Sequence, residues 1–503
     1  MTLQFTSQTD YFWALLPEIV LSLWAMLVLL IDVFQKGHRS GPSRPIIAWL
    51  SLAGVVPTAL ANLWLMGPAR TASPGGMVAA DDFAIFTNFI ILLAAALSIL
   101  LSIGHVDEEE INRGEYYVLM LFGAVGMMLM AAARDLIVMF LALELMSISV
   151  YVLTGFNRKD PRSGEGAIKY FLLGAFSSAF FLYGIALVFG STGSTNLSVI
   201  TPLVGNGLAG NAMFLIGAAL LLVGLGFKVA AVPFHMWAPD AYDGAPTPIA
   251  AFMATGVKAA AFAAFIRIFP IAFAGVYVSW HAVLWWLAVL TMFGANLIAL
   301  TEGSVKRMLA YSSIAHAGYL LVALLSANPL GPAAFLFYLL VYTLMTVGAF
   351  GMVVANSRGG RERVALEDYA GFGWQQPLLG FAFAVLLFSL AGFPLTGGFI
   401  GKLYILRAAL VSRQRTLAVL LVLASVISYF YYLRVVILMY MRPAPAEDSH
   451  RAIAVSGTTK FAVVAAAFLV LLLFFVPGPV LGAAQQSVAS LFHTGSPLLG
   501  ALH

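Results

Sequence analysis

Fourteen apolar stretches follow one another along the chain, and short polar loops separate them. A helix that crosses a bilayer needs about 20 predominantly apolar residues. No polar stretch is long enough to form a soluble domain. The pattern predicts an all-α polytopic membrane protein of about 14 transmembrane helices, designated spans 1 to 14: 11–34, 45–66, 82–103, 115–132, 134–156, 165–190, 208–241, 247–268, 280–301, 304–326, 332–356, 378–412, 417–441 and 459–481.

Spans 7 and 12 are longer than a bilayer requires, and each is interrupted. Span 7 contains Val232-Pro233, and span 12 contains Gly392-Phe393-Pro394 followed by Gly397-Gly398. Proline lacks an amide donor and clashes with the preceding turn, so nearby backbone groups lose their helical partners. Inside a membrane such groups must face protein or a water-filled cavity, and paired broken helices are typical of transport sites. We therefore expect helices 7 and 12 to line a transport path.

The spacing of the two breaks predicts an inverted repeat. They lie five spans apart, and because five is odd, the equivalent helices cross the membrane in opposite directions. Two five-helix units follow, spans 4–8 against spans 9–13. We expect helices 1–3 in residues 1–110, the first unit in 111–270, the second in 271–445 and helix 14 in 446–503. Sequence identity between the two units is faint, so the repeat depends on the pattern of breaks.

Composition excludes several functional classes. Only 10% of the residues are charged and 61% are apolar, with a mean hydropathy of +0.95. The net charge of +4 does not indicate nucleic-acid binding, because the basic residues lie in short loops rather than in one patch. The absence of cysteine excludes disulfides, thiolate-ligated iron–sulfur clusters and cysteine nucleophiles. No histidine pair suits a membrane haem and no Walker motif is present, so electron transfer and direct ATP drive are not indicated.

The loop charges predict the orientation. Loops after odd-numbered spans hold 15 lysines and arginines, and loops after even-numbered spans hold six. Since basic loops remain cytoplasmic, both termini should lie on the outer face. The basic cluster from Arg407 to Arg415 opposes this assignment locally. The N-terminus has no basic residue before the first apolar run and carries Asp10 and Glu18, so we expect that run to be a retained helix rather than a signal peptide.

Four ionisable side chains lie near the middle of predicted spans. They are Glu144 in span 5, Lys228 just before the break in span 7, Lys258 in span 8 and Lys402 just after the break in span 12. A charge at the bilayer centre costs about 2.5–3.5 kcal/mol on insertion scales, and such residues are functional by default. At 1.5 Å per residue, Glu144 is about 15 Å deep.

These positions suggest a proton relay. Burial disfavours the charged form of a glutamate or lysine, and a nearby opposite charge favours it. A Glu–Lys pair that opens and closes would therefore change how tightly the lysine holds its proton. We hypothesise that Glu144 and Lys228 form this switch, that Lys258 carries the proton laterally and that Lys402 is the terminal donor or acceptor. The alternative is that these charges are structural ion pairs or snorkelling side chains.

Four further residues are candidates with competing explanations. Lys169 lies only a few residues into span 6, where snorkelling explains it better. Arg434 suits a fixed counter-charge, because arginine does not release its proton. His316 is deep enough to bridge a water wire and titrates near neutral pH, although a hydrogen-bonded core histidine would occupy the same kind of position. His235 follows the span-7 break, where it would either orient the loop or transfer protons.

Three long segments around these residues carry a family resemblance. They are Phe227-Lys228-Val229-Ala230-Ala231-Val232-Pro233-Phe234-His235-Met236-Trp237-Ala238-Pro239-Asp240-Ala241-Tyr242 with Ala245-Pro246-Thr247-Pro248; Ser304-Val305-Lys306-Arg307-Met308-Leu309-Ala310-Tyr311-Ser312-Ser313-Ile314-Ala315-His316-Ala317-Gly318; and Ser389 through Phe393-Pro394 to Gly401-Lys402. The chain resembles the antiporter-like membrane subunits of respiratory complex I, the proton-pumping NADH:quinone oxidoreductase. It resembles the multi-subunit cation/proton antiporters more distantly. The resemblance covers essentially the whole chain.

Within that family the chain is most similar to the subunit N branch. It lacks the long C-terminal lateral helix expected of subunit L, and it has Lys402 where subunit M has glutamate. Pro394-Leu395 departs from the Pro-Pro often found at the span-12 break, but one helix breaker remains.

The resemblance implies fourteen helices, the inverted repeat and the proton-path roles proposed above. It also implies a translocase subunit of a bacterial-type inner membrane with no redox catalysis of its own. NADH, FMN, iron–sulfur clusters and quinone would belong to partner subunits, and this chain would hold no cofactor or metal. Its partners would be the other membrane-arm subunits, the lipid bilayer and protons.

Three functional hypotheses follow. The chain is a proton-translocating subunit of complex I, a cation/proton antiporter or antiporter subunit, or a structural membrane subunit whose charges only hold helices together. A sodium site would favour clustered intramembrane carboxylates, and the spans offer only Glu144 at mid-depth. This disfavours the second hypothesis.

Overall fold

The computed structural model of the chain describes residues 3–5, 7–35, 45–69, 76–326, 328–358, 362–444 and 455–492. Within these ranges the chain is mainly helical, and its β-type pairing is limited to isolated bridges. The helices are α1 (Gln8–Ala14), α2 (Leu16–Gln35), α3 (Pro45–Ala69), α4 (Asp82–Glu108), α5 (Gly114–Ala132), α6 (Leu136–Thr154), α7 (Pro161–Thr192), α8 (Leu197–Gly205), α9 (Ala212–Lys228), α10 (Trp237–Gly244), α11 (Thr247–Phe252), α12 (Lys258–Ile266), α13 (Tyr277–Ala299), α14 (Val305–Leu325), α15 (Leu330–Asn356), α16 (Phe372–Gln375), α17 (Pro377–Ala391), α18 (Gly397–Val411), α19 (Arg415–Met441), α20 (Gly457–Phe475) and α21 (Gly478–Phe492).

The predicted set of spans is confirmed. Twelve described segments have the length and hydropathy of a membrane span, and the shorter helices α9 and α17 are the first halves of broken spans 7 and 12. Span 8 is a composite of α11, a π-helical turn (Met253–Val257), α12 and a second π-helical turn (Arg267–Ala272). Spans 8, 10 and 11 are almost wholly buried, so the other helices surround them.

The helix ends differ from the prediction at three places. Span 1 is divided into α1 and α2 immediately before Pro17, and the short helix α8 follows span 6. Span 14 ends at Phe475 rather than near residue 481, and α21 follows it. Pro477 and Pro479 cause this last difference, because each lacks the amide that would continue α20.

Both interruptions lie where the sequence predicts them. In span 7, α9 ends at Lys228 and α10 begins at Trp237; between them Ala230 has a φ of 58°. In span 12, α17 ends at Ala391 and α18 begins at Gly397. Gly392 follows α17 in the left-handed region, with a φ of 86°, and its amide donates back to the Phe388 carbonyl at 3.0 Å. Glycine takes this conformation without steric cost, which explains why the half-helix ends there.

A pair of matching bridges supports the inverted repeat. Asp135, before span 5, pairs with Asn196 after span 6, and Ser304, before span 10, pairs with Ala365 after span 11. Each bridge has the same two backbone bonds, and the two bridges lie five spans apart. The side chains of Asp135 and Ser304 also cap the helices that follow them. The exact domain limits remain a prediction.

A buried ion cluster joins the three N-terminal helices to the first unit. Asp81 caps α4 and accepts two hydrogen bonds from Arg267, at 2.7 and 2.8 Å. The Arg134 guanidinium lies 3.4 Å from the same carboxylate, and Arg267 Nε donates to the Ala131 carbonyl at 2.8 Å. Burial alone would raise the pKa of Asp81, but the two guanidinium groups outweigh it and lower the pKa to about 2.

The loop-charge count is wrong at two residues. Arg267 and Lys306 lie at the ends of predicted spans 8 and 10 and were counted with the neighbouring loops, whereas the structure buries both of them inside the helices. Each has a carboxylate partner that hydropathy alone does not reveal. The predicted orientation also depends on residues outside the described ranges: Lys36, Arg39, Arg44, Arg70, Arg361 and Arg451.

Candidate functional site: buried lysines at broken helices

Lys228 is the last residue of α9, and its side chain is buried. The Lys228 Nζ donates to the Tyr151 hydroxyl at 3.3 Å. It also lies 5.0 Å from the centre of the Tyr151 ring and 5.2 Å from that of Tyr170. The break in span 7 thus places an ammonium among aromatic rings in the bundle interior.

Glu144 lies halfway along α6, and its side chain is half-buried. Its Oε1 accepts a hydrogen bond of 2.5 Å from Ser178 of α7. Among the described side chains, no ion pair within 4.0 Å joins Glu144 to Lys228, although the two interact electrostatically. Tyr151, seven residues after Glu144 and therefore on the same helix face, is the side chain that contacts Lys228. The structure brings the predicted pair to one site but leaves the two groups apart.

Lys258 begins α12, directly after the first π-helical turn, and is buried. Its Nζ donates to the Ser313 carbonyl of α14 at 2.5 Å and also to the Ser313 hydroxyl. Single π-helical turns are frequent at functional sites. The turn and Ser313 together fix the lysine against span 10.

His316 lies one turn beyond Ser313 and hydrogen-bonds through both ring nitrogens. Its Nδ1 is 2.6 Å from the Tyr338 hydroxyl, and its Nε2 is 3.2 Å from the Tyr432 hydroxyl. The Tyr432 hydroxyl also contacts the Ser312 hydroxyl. A neutral imidazole has one donor and one acceptor nitrogen, so it can accept a proton at one edge and release one at the other.

Lys402 lies in α18, and its Nζ reaches back across the break in span 12. It donates to the carbonyls of Leu390 and Ala391, at 3.0 and 2.8 Å. These carbonyls close α17, where the helix leaves acceptors without intrahelical partners. The Nζ also lies 4.7 Å from the centre of the Tyr319 ring. Lys228 and Lys402 therefore both belong to breaks, although Lys228 ends a first half-helix and Lys402 lies inside a second.

Polar and aromatic side chains lie between Lys258 and Lys402, although among the described residues no continuous line of hydrogen bonds joins the two lysines. Ser313 contacts Lys258 and lies one turn from His316, whose ring is 5.2 Å from that of Tyr319. His316 interacts electrostatically with both lysines. Within the described residues, no hydrogen bond joins Lys228 to Lys258. The structure thus places Lys258, His316 and Lys402 in one succession of buried groups, and Glu144 and Lys228 in a second group.

The sequence analysis did not identify several side chains that contact Glu144, His316 or the buried lysines. Hydropathy gives the same value to a hydroxyl that only packs and to one that hydrogen-bonds an ionisable group. A usable signal was present. Polar residues in mid-span of an apolar helix are uncommon, and they cluster around His316. Tyr151 and Tyr338 have no such signal beyond their position in an apolar span. The missed residues are Tyr151, Ser178, Ser312, Ser313, Tyr319 and Tyr338. For Tyr432 the sequence favours packing over proton transfer, whereas its hydroxyl contacts both His316 and Ser312.

Comparison with known proteins identifies the family. The family model described as NADH:quinone oxidoreductase/Mrp antiporter, TM, matches residues 133–428. This range includes Glu144, Lys228, Lys258, His316 and Lys402. The protein belongs to this family.

Relatives in this NADH:quinone oxidoreductase/Mrp antiporter family match along nearly the full chain. The NADH-quinone oxidoreductase subunit N of Trichlorobacter lovleyi is 47% identical, covering 94% of this chain and 96% of the relative. Subunit N 1 of Sorangium cellulosum is 46% identical, covering 94% and 98%. A chain of respiratory complex I from Thermus thermophilus has a TM-score of 0.78 and 35% identity, over 93% of this chain and 98% of that chain. A chain of the Mrp complex from a Dietzia species shares the fold, with a TM-score of 0.83 at 20% identity.

Lys169, His235 and Arg434 lie outside the succession of buried side chains between Lys258 and Lys402. Lys169 is 44% exposed and forms ion pairs with Glu165 at 2.6 Å and Asp240 at 2.7 Å. His235 is half-buried in the span-7 break. Arg434 is half-buried, and its Nη1 donates to the Glu302 carbonyl at 3.5 Å. Within the described structure, none of the three forms a hydrogen bond or ion pair with the buried lysines.

A second ionic cluster lines an open polar cavity of about 820 Å³ at the odd-numbered loops. The Lys306 Nζ is 2.5 Å from Glu362, whose other oxygen accepts from the Thr247 amide at 3.1 Å. The His105 Nε2 lies 3.5 Å from Glu362 and 3.3 Å from Glu109. Burial alone would raise the pKa of Glu362, but Lys306 and His105 hold it well below its usual range. His105, Glu109 and Glu362 have the donor types of a metal site, but the Lys306 ammonium already neutralises Glu362.

Proposed function

We propose that this chain is the non-redox, proton-translocating subunit N of the membrane arm of NADH:quinone oxidoreductase. Electron transfer from NADH to quinone in partner subunits would drive protons through its buried Glu/Lys relay. The observation that most supports the relay is the succession of buried side chains from Lys258 through Ser313 and His316 towards Lys402. The names of relatives that are 46% and 47% identical over 94% of the chain support the assignment to this complex.

The geometry suits protons better than a metal cation. A buried lysine gives up its proton more readily than an exposed one, because burial disfavours the ammonium. Lys258 and Lys402 are held by carbonyl and hydroxyl oxygens rather than by carboxylates. Neither lysine is therefore fixed in the charged state by an ion pair, and a passing charge can shift its protonation.

Partners and cofactors are part of the same proposal. The chain would assemble with the other membrane-arm subunits in a bacterial inner membrane, with both termini on the periplasmic side. NADH, FMN, iron–sulfur clusters and quinone would be bound by partner subunits, and this chain has no cysteine to ligate a cluster. The missing cysteines also make orientation easy to test. A membrane-impermeant thiol reagent should label Arg413→Cys, and not Lys159→Cys, from the periplasmic side.

The alternative is a subunit of a cation/proton antiporter. The shared fold of the Mrp chain keeps this alternative open. Solubilised membranes that carry a tagged copy of this chain should be separated on a native gel. We expect the tag in a band far above 53.7 kDa that also stains for NADH dehydrogenase activity. A tagged band without that activity, together with sodium-dependent proton exchange in vesicles, would favour the antiporter.

A further inference from the structure

The ammonium of Lys228 lies in a box of aromatic rings. Its Nζ is 5.0 Å from the Tyr151 ring centre, 5.2 Å from that of Tyr170 and 5.8 Å from that of Phe227. Cations within about 6 Å of a ring centre are attracted by the negative face of the ring. The Tyr151 hydroxyl adds a hydrogen bond of 3.3 Å. Three rings and a hydroxyl thus surround a buried amine that has no carboxylate within 4.0 Å among the described residues.

Neighbouring residues hold the box in shape. Trp237, at the start of α10, stacks on Tyr170 with ring centres 4.1 Å apart and planes within 6°. Its Nε1 donates to the Phe227 carbonyl at 2.9 Å, so one residue braces the box across the span-7 break. Gly174 makes room for Tyr151, because a Cβ there would lie 1.9 Å from the Tyr151 hydroxyl oxygen. The rings are fixed by packing rather than placed by chance.

Glu144 has its own partner while Lys228 occupies the box. Ser178 donates to the Glu144 carboxylate at 2.5 Å. Each member of the predicted pair therefore has a substitute partner. This arrangement is what a switch with a stable open position requires, because an unpaired charge would be costly for the buried Lys228 and unfavourable for the half-buried Glu144.

We propose that Tyr151, Tyr170 and Phe227 form an aromatic box that holds the charged ammonium of Lys228 when its ion pair with Glu144 is open. The three rings are positioning residues: they keep the proton on Lys228 until Glu144 returns or another group accepts it. Ser178 holds the open carboxylate in the same state. This inference rests on the proposed function, since it assigns the resting place of a proton within the relay.

The surroundings make the effect on pH predictable. The titratable groups around Lys228 are Glu144 and Tyr151 of α6, Tyr170 of α7 and Tyr242 of α10, while Lys258 bonds to Ser313 instead. Phenols ordinarily titrate near pH 10, so the tyrosines remain neutral in the working range. Rings attract the ammonium and not the neutral amine. Removing a ring should therefore release the proton at lower pH.

The test is the pH profile of NADH-driven proton uptake, expressed per NADH oxidised, in inverted vesicles that contain the whole complex. In Tyr151→Leu we expect the alkaline limb to move to lower pH by about half to one unit. Tyr151→Phe keeps the ring and should shift the limb less. Phe171→Leu is the matched control. The ring centre of Phe171 lies 5.8 Å from that of Tyr151, but Phe171 is exposed on the outside of the bundle and does not contact Lys228.

Outcomes separate the box from the relay. If Lys228→Ala abolishes uptake while Tyr151→Leu follows the wild-type profile, the box is refuted and the relay stands. If Lys228→Ala assembles and pumps normally, Lys228 lies outside the relay, and the Glu144–Lys228 switch that the box serves is refuted as well. Should Tyr151→Leu fail to assemble, Phe227→Leu removes a different ring, and an unshifted profile there would overturn the box. A purely structural role would lower the amount of complex in each variant without moving the profile.

Discussion

Gly398→Ala should disconnect Lys402 from the break in span 12. Gly398 opens α18 beside the end of α17, and its amide donates to the Ser389 hydroxyl at 3.0 Å. A Cβ at this position would lie 1.9 Å from the Ser389 carbonyl oxygen and 2.7 Å from its hydroxyl oxygen. The nearer atom belongs to the backbone and cannot turn away, so the two half-helices must separate by about 1 Å or more.

That separation is enough to break the Lys402 contacts. The two bonds from its Nζ, at 3.0 and 2.8 Å, would lengthen towards about 4 Å, beyond hydrogen-bonding distance. Overpacking of this size costs about 1–3 kcal/mol, which a large complex tolerates. Misplacement by about 1 Å can reduce the rate of a positioned reaction about 100-fold. We therefore expect assembly to persist and proton uptake to fall by at least about tenfold.

The assay compares proton uptake with NADH oxidation in inverted vesicles, after the amount of assembled complex has been matched on native gels. Gly164→Ala is the control, because nothing lies within 4 Å of its Cβ position. Wild-type uptake in Gly398→Ala would refute the link between the geometry of the break and the relay.

Three more predictions concern His316 and the two ion clusters that lie outside the relay. Asp81→Asn should destabilise the contact with Arg267 by about 2 kcal/mol, because the pKa of the Asp81 carboxyl falls from 3.8 to about 2 on folding. The carboxylate therefore stabilises the fold above about pH 4, and this stabilisation is lost as the pH falls towards 2. The temperature at which this chain leaves the complex on native gels measures it, and no change in that temperature would contradict the argument. His316→Phe keeps a ring but loses both hydrogen bonds, so proton uptake should fall at least about tenfold with assembly intact; retained uptake would remove His316 from the path. Lys306→Met leaves the largely buried Glu362 carboxylate without its cation, and because Glu362 borders an open cavity we expect the cost in assembly to be at most about 3 kcal/mol. The double variant with Glu362→Gln should recover part of the lost complex, and failure to recover would show that the pair is not coupled.

Broken helices and mid-span lysines were predictable because each leaves a local mark in the sequence. Pro233 and the glycines at 392, 397 and 398 interrupt apolar runs, and the breaks lie there. Lys228, Lys258 and Lys402 stand out because an amine in an apolar segment has a large energetic cost. These features fix the fold class and the main candidate residues without any long-range information.

Partners distant in the chain were not predictable in this way. Lys306 follows a polar loop and looks exposed, yet it is neutralised by Glu362, 56 residues away. The partner of Arg267 could not be read from the sequence either, because Asp81 lies 186 residues away along the chain. The contact between Lys258 and Ser313 depends on how spans 8 and 10 pack, which hydropathy does not encode.

The separation of Glu144 from Lys228 could not be read from the sequence either. Spacing and depth predict that the two meet, but they do not reveal that Ser178 and the aromatic rings offer each of them a different partner. The role of both groups in the switch remains a prediction that functional measurements must decide.

The most direct test of the relay is Lys258→Met, which keeps the length and burial of the side chain but cannot carry a proton. NADH-driven proton uptake should be measured in inverted vesicles, with NADH oxidation by an artificial acceptor as the measure of intact complex. The account predicts unchanged acceptor activity and loss of most of the proton uptake. Uptake equal to the wild type, at equal acceptor activity, would contradict it.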